Sequence, residues 1–311
     1  MDSTAVQIAV GPRMPGWGSW GWVGVACLEA LRVEWGVRTF ELGERPEGDV
    51  VVVVKHPLSG GIASQLGQET GLVYCPIDRY GSPDEISRDG EFLRRCSRVV
   101  VHSRRLPTYF EPFAPTEYLD HPVRYVAPPP GVHADLGPAL WVGVRSNLPP
   151  LVEWLNRHGL ALPLVILTNP ERRGTPPTPG ELGFRKGTLV VVDEWSPERH
   201  LWWLAHARAA VDIKGTDFRS RHKPPAKAID FVVSGLPLAM NPGSAPVEHL
   251  ADLGLEVADP RDADRWLSSE YREETRRSGF ALRGLLSTEV VARRWVRLVD
   301  EVLSERRRKC A

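Results

Sequence analysis

Several things are scarce in this chain, and each scarcity closes off a class of protein. Cysteine occurs only at Cys27, Cys75, Cys96 and Cys310, with no C-x-x-C pair and no short Cys/His cluster. Neither a structural zinc site nor a disulfide framework is indicated. Charge of one sign is not in surplus, since 39 Lys plus Arg balance 39 Asp plus Glu. No global field therefore draws the chain to nucleic acid or to an anionic membrane. No apolar run approaches the roughly 18 residues of a membrane-spanning helix. The first residues have no basic stretch followed by an apolar one, so no secretory signal is expected. A reducing, cytoplasmic setting is the expectation. Lysine is confined to Lys55, Lys186, Lys214, Lys223, Lys227 and Lys309. Arginine supplies the other cations; it suits planar phosphate contacts, and a GC-biased genome produces the same preference.

What is present is a chain of 311 residues, 42% hydrophobic and 25% charged, with 11 Trp. That is enough for a large core and one or two soluble domains. Strand-like runs at 5–10, 38–42, 49–55, 72–77 and 98–102 alternate with helical patterns at 23–34 and 85–95. The run at 49–55 contains five consecutive valines, fit for a strand buried on both faces. A second series places strands at 140–144, 164–168, 188–192 and 209–213. Ser196-Pro197-Glu198 marks a helix start, with Ser as N-cap and Pro in the first turn. Strands alternating with helices predict α/β domains with parallel, doubly wound sheets. Pro128-Pro129-Pro130 stiffens a connector, which predicts a domain boundary near 127–138. A closing helix is predicted over 288–306, with Val291, Trp295, Leu298, Val299 and Val302 on one face. Its basic end, Arg306 to Lys309, also permits a peripheral membrane contact.

The most informative stretch is 211–250. A loop carrying Lys214, Arg219, Arg221, His222 and Lys223 runs into Pro224-Pro225 and a predicted helix over 226–233, stopped by Gly235. Positive charge gathered at a helix N-terminus predicts a phosphate grip. A second glycine signal competes with it. Gly16, Gly18 and Gly21 fit G-x-G-x-x-G, with Glu41 twenty residues further on, which is the dinucleotide fingerprint of an NAD(P)-dependent oxidoreductase. Against it, five residues including two prolines precede the first Gly, and bulky Trp17 and Trp20 stand between the glycines. Trp17, Trp20 and Trp22 are open to two readings, stacking on a sugar or packing between helix and sheet. Three further strand ends carry polar groups: Lys55-His56-Pro57, Asp78-Arg79-Tyr80 and His102-Ser103-Arg104. His56 and Asp78 can equally cap turns, and His102 can sit neutral in the core.

The run Pro225-x-Lys227-x-x-Asp230-Phe231-x-x-Ser234-Gly235-x-Pro237, followed by Gly243 and Glu248, resembles the donor-binding segment of GT-B glycosyltransferases of the retaining family 4 type. The pattern Val73-Tyr74-x-x-Ile77-Asp78-x-Tyr80, then Arg98 to Ser103, resembles their first domain. The resemblance implies two Rossmann-like, doubly wound α/β domains facing a cleft. They would comprise an acceptor-side domain over 1–130, a nucleotide-sugar domain over 131–285 and a crossing helix over 286–311. It also implies a nucleoside-diphosphate sugar as donor substrate, with no permanently bound cofactor and no metal. Arg145, Arg221, Lys223 and Lys227 would neutralise the diphosphate, Asp230 would hold the ribose, and Glu248 would also serve the donor. Gly16, Gly18 and Trp20 would form the cleft loop. Asp78, His56 and His222 are the catalytic candidates. His222 stands where the family carries the first of two glutamates with seven residues between them, and Asp230 stands at the second. The implied function is transfer of a sugar to an unidentified acceptor hydroxyl, with retention. A GT-B-like protein that binds a nucleotide sugar or a partner without catalysis is the alternative. A nucleic-acid acceptor is not favoured at zero net charge.

Overall fold

The computed structural model describes residues 6–67, 69–127, 136–169 and 176–310. The prolines of the connector and most of the loop at 169–178 lie outside the described residues. Contacts divide the chain into two units. The first comprises Met1–Pro122, Asp217–Pro224 and Leu286–Ala311; the second comprises Val123–Thr216 and Pro225–Leu285.

The first unit is built on six strands: β1 (Gln7–Gly11), β2 (Gly36–Thr39), β3 (Val50–Val54), β4 (Gly71–Cys75), β5 (Arg98–Val101) and β6 (Thr116–Tyr118). They are all parallel, in the order β2-β1-β3-β4-β5-β6. The five valines of β3 are each at most 2% exposed, because both faces of the sheet are covered. Val50, Val52 and Val54 pack on one face with Trp20, Leu31, Trp295 and Leu298. Val51 and Val53 pack on the other with Tyr74, Ile86 and Phe110. The closing helix, Thr288–Cys310, belongs to the first of these layers. Val291, Trp295, Leu298, Val299 and Val302 are each at most 1% exposed. The apolar stripe that a bilayer would need is therefore already spent on the chain's own sheet. Arg98–Glu305 and Arg306–Asp49 ion pairs tie this helix to the strand edges.

The second unit has five parallel strands: β7 (Ala139–Gly143), β8 (Leu164–Thr168), β9 (Val190–Glu194), β10 (Ala209–Asp212) and β11 (Leu238–Met240), in the order β11-β10-β7-β8-β9. Each sheet thus reverses its winding once, between β1 and β3 in the first unit and between β7 and β10 in the second. In open α/β sheets, ligands bind beyond the carboxyl ends of the strands at such a reversal.

Helix Ala226–Val233 lies against helix Ser269–Leu285 at unusually close range. A Cβ added at Gly279 would sit 2.0 Å from the Val232 carbonyl oxygen, and Arg283 Nε donates to the Val233 carbonyl at 2.8 Å. Gly279→Ala is expected to force these helices apart and cost about 3 kcal/mol, the upper end of overpacking penalties. Gly284→Ala, on the same helix with open space around it, is the control and should gain roughly 0.5–1 kcal/mol from helix propensity. Urea midpoints of the two variants check both signs.

Candidate active site

The carboxyl end of β3 is where the first unit departs most from relaxed geometry. Lys55 (φ 65°) and Asp78 (φ 51°) are the only non-glycine residues with positive φ among the described residues. They sit just beyond the ends of neighbouring strands β3 and β4. Left-handed backbone at such residues costs about 1–3 kcal/mol each and persists where surrounding structure enforces it. Here the Lys55 amide donates to the Cys75 carbonyl at 2.8 Å, and Tyr74 Oη donates to the Lys55 carbonyl at 3.0 Å. Tyr74 is in turn fixed by Tyr80, whose hydroxyl donates to Asp89 at 2.9 Å.

The strained turn aims side chains at the β1/β3 reversal. Trp17 is 52% exposed, with Lys55 Nζ 5.0 Å from its ring centroid and the His56 ring edge-on at 6.2 Å. Burial lowers the Lys55 ammonium pKa, Asp78 opposes that shift, and Arg219 and Arg79 add to it. Burial, then Lys55 and Arg79, lowers the His56 pKa below its ordinary value. His56 is thus held neutral, and its Nε2 has no hydrogen-bond partner.

Segment Asp217–Pro224 belongs to this same unit. Phe218 packs edge-on against Tyr109 at 5.1 Å, and the His222 ring lies 4.1 Å from Phe218 and 5.4 Å from Tyr109. His222 Nδ1 is 2.6 Å from the Phe218 carbonyl, and Arg219 Nη2 reaches the Arg79 carbonyl at 3.5 Å. A small pocket results, lined by Asp78, Arg79, Leu106, Phe110, Phe218 and His222. Two catalytic candidates far apart in sequence, Asp78 and His222, therefore border one pocket. Arg221 is exposed, and its carbonyl accepts from Arg105 Nη1 at 3.2 Å. Arg221 and Lys223 stand with the first unit, and Lys227 stands with the second. Within the stretch read as a phosphate grip, Phe218 and His222 are drawn into aromatic packing with Tyr109.

The glycine loop also differs from expectation. Helical turns begin at Gly18, and the Gly21 amide donates to the Trp17 carbonyl at 3.0 Å. A π-helical segment, Trp20–Val25, continues into helix Ala26–Leu31. Gly18 and Gly21 are thus helix residues, and the dinucleotide fingerprint is not a phosphate turn. Trp20 is 6% exposed in the core; a Cβ on Gly24 would meet its ring at 2.2 Å, so Gly24 is the space into which that ring folds. Trp20 is a packing residue, whereas Gly16 remains in the loop with φ +82°. Trp22 stacks on His121 at 5.8 Å.

In the second unit, Arg145 opens a short 3-10 turn after β7 and its amide donates to Asn169 Oδ1 at 3.3 Å. Beyond β10, Lys214 Nζ pairs with Asp212 Oδ2 at 2.6 Å, and the Asn241 side chain bonds both backbone groups of Lys214, at 2.7 and 3.0 Å. Lys227, in the first turn of helix Ala226–Val233, lies 5.8 Å from the Trp141 ring centroid. Glu248 is exposed in the first turn of helix Ala245–Asp252. Asp230 differs from expectation: it is fully buried, and its carboxylate accepts the Tyr125 amide at 3.3 Å. The neighbouring Ser234 Oγ accepts the Ala127 amide at 3.1 Å. Asp230 holds the backbone at 123–127 through Oδ1, while its Oδ2 is buried without a hydrogen-bond partner. Among the described residues no three His, Cys, Asp or Glu side chains converge to hold a metal ion.

No family model and no curated protein matches the chain. Solved structures do. AviGT4, a glycosyltransferase involved in avilamycin A biosynthesis, matches with TM-score 0.60 at 17% identity over 96% of this chain and 98% of that chain. Anabaena HepE in complex with UDP and glucose matches with TM-score 0.60 at 10% identity over 95% and 100%. The E. coli trehalose-6-phosphate protein bound with UDP-2-fluoro glucose matches with TM-score 0.63 at 9% identity over 96% and 98%. The chain has the GT-B fold. At these identities the likeness extends to the fold alone.

One buried cluster of this GT-B chain stands beside the strained turn. His102 and His121 are each 4% exposed, with ring centroids 4.3 Å apart. His102 Nδ1 lies 2.6 Å from the Leu119 carbonyl, while both His121 nitrogens lack partners. Burial depresses His102 to about 4, against the pull of Leu119, Asp120 and Asp78, and burial, then the His102 charge, holds His121 well below its ordinary value. Folded pKa values below the unfolded value mean that the unfolded chain binds protons first. Stability is full above about pH 6.5 and declines as pH falls toward the folded values. The urea midpoint is expected to drop between pH 6.5 and 4.5. His121→Phe, which removes the orphaned nitrogens but keeps a ring against Trp22, should flatten that decline.

Proposed function

We propose that this chain is a glycosyltransferase that moves a sugar from a nucleoside-diphosphate sugar to an acceptor hydroxyl, with retention at the transferred carbon. The observation that carries the proposal is the near full-length GT-B likeness to HepE in complex with UDP and glucose and to the E. coli protein bound with UDP-2-fluoro glucose. In the second unit, Lys227 at the start of its helix and Arg145 beyond β7 are the groups for the diphosphate. They stabilise charge on the leaving group without a metal. The leaving phosphate oxygen takes the acceptor proton as the bond to that oxygen breaks and the new glycosidic bond forms, so retention needs no separate base. In the first unit, neutral His56 offers Nε2 as an acceptor for a sugar hydroxyl, and exposed Asp78 and half-buried His222 border the adjoining pocket. Buried free thiols at Cys27, Cys75 and Cys96 suit a reducing cytoplasm.

Thermal shift against UDP-, GDP-, ADP- and dTDP-sugars, NAD and NADP tests the reading. A ligand at a hundred times its Kd adds about 2.7 kcal/mol to stability. Stabilisation by one nucleotide sugar, with slow release of its sugar to water, is expected. Stabilisation by NAD alone would sink the proposal. Binding without release or transfer is the signature of the second reading, a non-catalytic nucleotide-sugar binder. His222 favours that reading: an imidazole anchored at the Phe218 carbonyl stands where the family carries a glutamate.

A further inference from the structure

The turn at the end of β3 gathers more positive charge than its own carboxylates answer. Arg219 and Arg79 each act electrostatically on Lys55 and push its ammonium pKa further down. None of the three forms an ion pair among the described residues. Of the nearby acids, Glu85 accepts the Gly81 amide at 2.6 Å and Asp89 accepts the Tyr80 hydroxyl at 2.9 Å, and neither forms an ion pair with the three cations. Asp78 opposes the shift at Lys55. Arg79 Nε and His56 Nε2 are buried atoms with no hydrogen-bond partner. Buried polar atoms are nearly always paired, so two orphans on the turns after neighbouring strands mark donors and acceptors held for something else. The Lys55 and Asp78 backbones are held in left-handed conformations that place these groups together. Lys55 Nζ rests 5.0 Å from the ring of Trp17, which presents an exposed indole beside the cations. Like charges gathered in excess of counter-charge raise the free energy of the unliganded site, and an anion recovers that cost. An indole next to them offers a flat apolar face, the surface on which a sugar ring packs.

We infer that the acceptor is an anionic sugar, whose phosphate or carboxylate is taken by Lys55, Arg79 and Arg219 while its ring lies on Trp17. The inference deepens the glycosyltransferase reading and rests on it for the word acceptor; the anion site itself stands on the geometry of the first unit. Lys55 leaves the indole for the anion, and Arg79 contributes its orphaned Nε. His56 meets a ring hydroxyl.

The test is calorimetric titration of the full chain with glucose 6-phosphate, glucuronate, glucose and inorganic phosphate, alongside a separate titration with UDP. At least one anionic sugar is expected to bind tenfold or more tightly than glucose and more tightly than inorganic phosphate, with affinity falling as salt rises. Lys55→Met and Arg219→Gln should each weaken that binding tenfold or more, leave UDP binding unchanged and leave the unliganded melting temperature within a few degrees. Glucose binding as well as the anionic sugars, inorganic phosphate binding as well as the sugars, or anionic-sugar affinity indifferent to both substitutions would overturn the inference. Its failure and that of the parent reading are separable. Release of sugar from a nucleotide sugar without any anionic-sugar binding removes the anionic acceptor and keeps the glycosyltransferase. Lys55-dependent anion binding without nucleotide-sugar binding does the reverse.

Discussion

Asp230→Ala is expected to lower the stability of the chain by about 2–4 kcal/mol, whether or not nucleotide is present. The carboxylate is fully buried on helix Ala226–Val233 and accepts the Tyr125 amide at 3.3 Å. Truncation leaves that buried donor without a partner, a loss of about 1–3 kcal/mol, and adds a cavity term. Asp230→Asn keeps an acceptor of the same shape and should cost less than about 1.5 kcal/mol. The pH dependence carries a second signature. Burial raises the Asp230 pKa, against the pull of the Tyr125 and Arg124 backbone groups and the Arg124 and Lys227 charges. A folded pKa above the unfolded one means that this group's contribution is complete below the unfolded value of about 3.8 and is lost as pH rises through the folded value. That is opposite in sign to His102 and His121. Asp230→Asn should remove this component and leave the histidine component in place. The contrary outcome is simple to recognise: an Asp230→Ala chain as stable as wild type that has lost only nucleotide binding would return the residue to the ribose role.

The contrast between residues 226–233 and residue 230 shows what the sequence disclosed and what it withheld. Pro225 before an Ala-rich segment and a Gly235 stop predict the helix, and Ala226–Val233 is a helix. Ala228, Ile229, Val232 and Val233 predict one buried face, yet every residue from 226 to 233 except Lys227 is buried. The reason is the close approach of helix Ser269–Leu285 at Gly279, a contact across some fifty residues that no local pattern announces. A carboxylate on such a helix looks like a ligand-binding group in sequence and is a backbone partner in the structure. The α/β class was legible from the strand and helix alternation, and the five valines of β3 sit on both covered faces of a parallel sheet, as their run implied. The strain at Lys55 and Asp78 was not legible, since nothing about Lys or Asp in these positions calls for positive φ. The residues stood at named strand ends, but only the backbone reveals why those ends matter. Likewise Trp20 and Trp22 read alike in sequence as loop aromatics. One fills the space over Gly24 and the other covers His121, leaving Trp17 as the exposed ring.

Lys227→Met is expected to reduce kcat for sugar release or transfer by about a hundred- to a thousandfold, the range seen when one preorganised electrostatic group is removed. Lys227 lies in the first turn of a helix, where backbone N–H groups and a cation act on the same anion. In the proposed reaction the donor diphosphate gains charge as its bond to the sugar breaks, so a cation beside it contributes more in the transition state than in the ground state, and kcat falls further than affinity. The lysine has a structural role to be separated from this one, since its ammonium lies 5.8 Å from the Trp141 ring centroid. Lys227→Arg keeps charge and ring contact and should recover part of the rate; Lys227→Met keeps bulk and loses both. His200 supplies an internal reporter. Burial, and after it the Lys227 charge, pushes this histidine down to about 3. In the Met variant the second contribution vanishes, and the His200 pKa, followed by NMR, should rise while remaining below its ordinary value. A raised His200 pKa with kcat unchanged would show that the charge has been removed from the site without consequence for the chemistry, and would place the leaving-group cation at Arg145 instead.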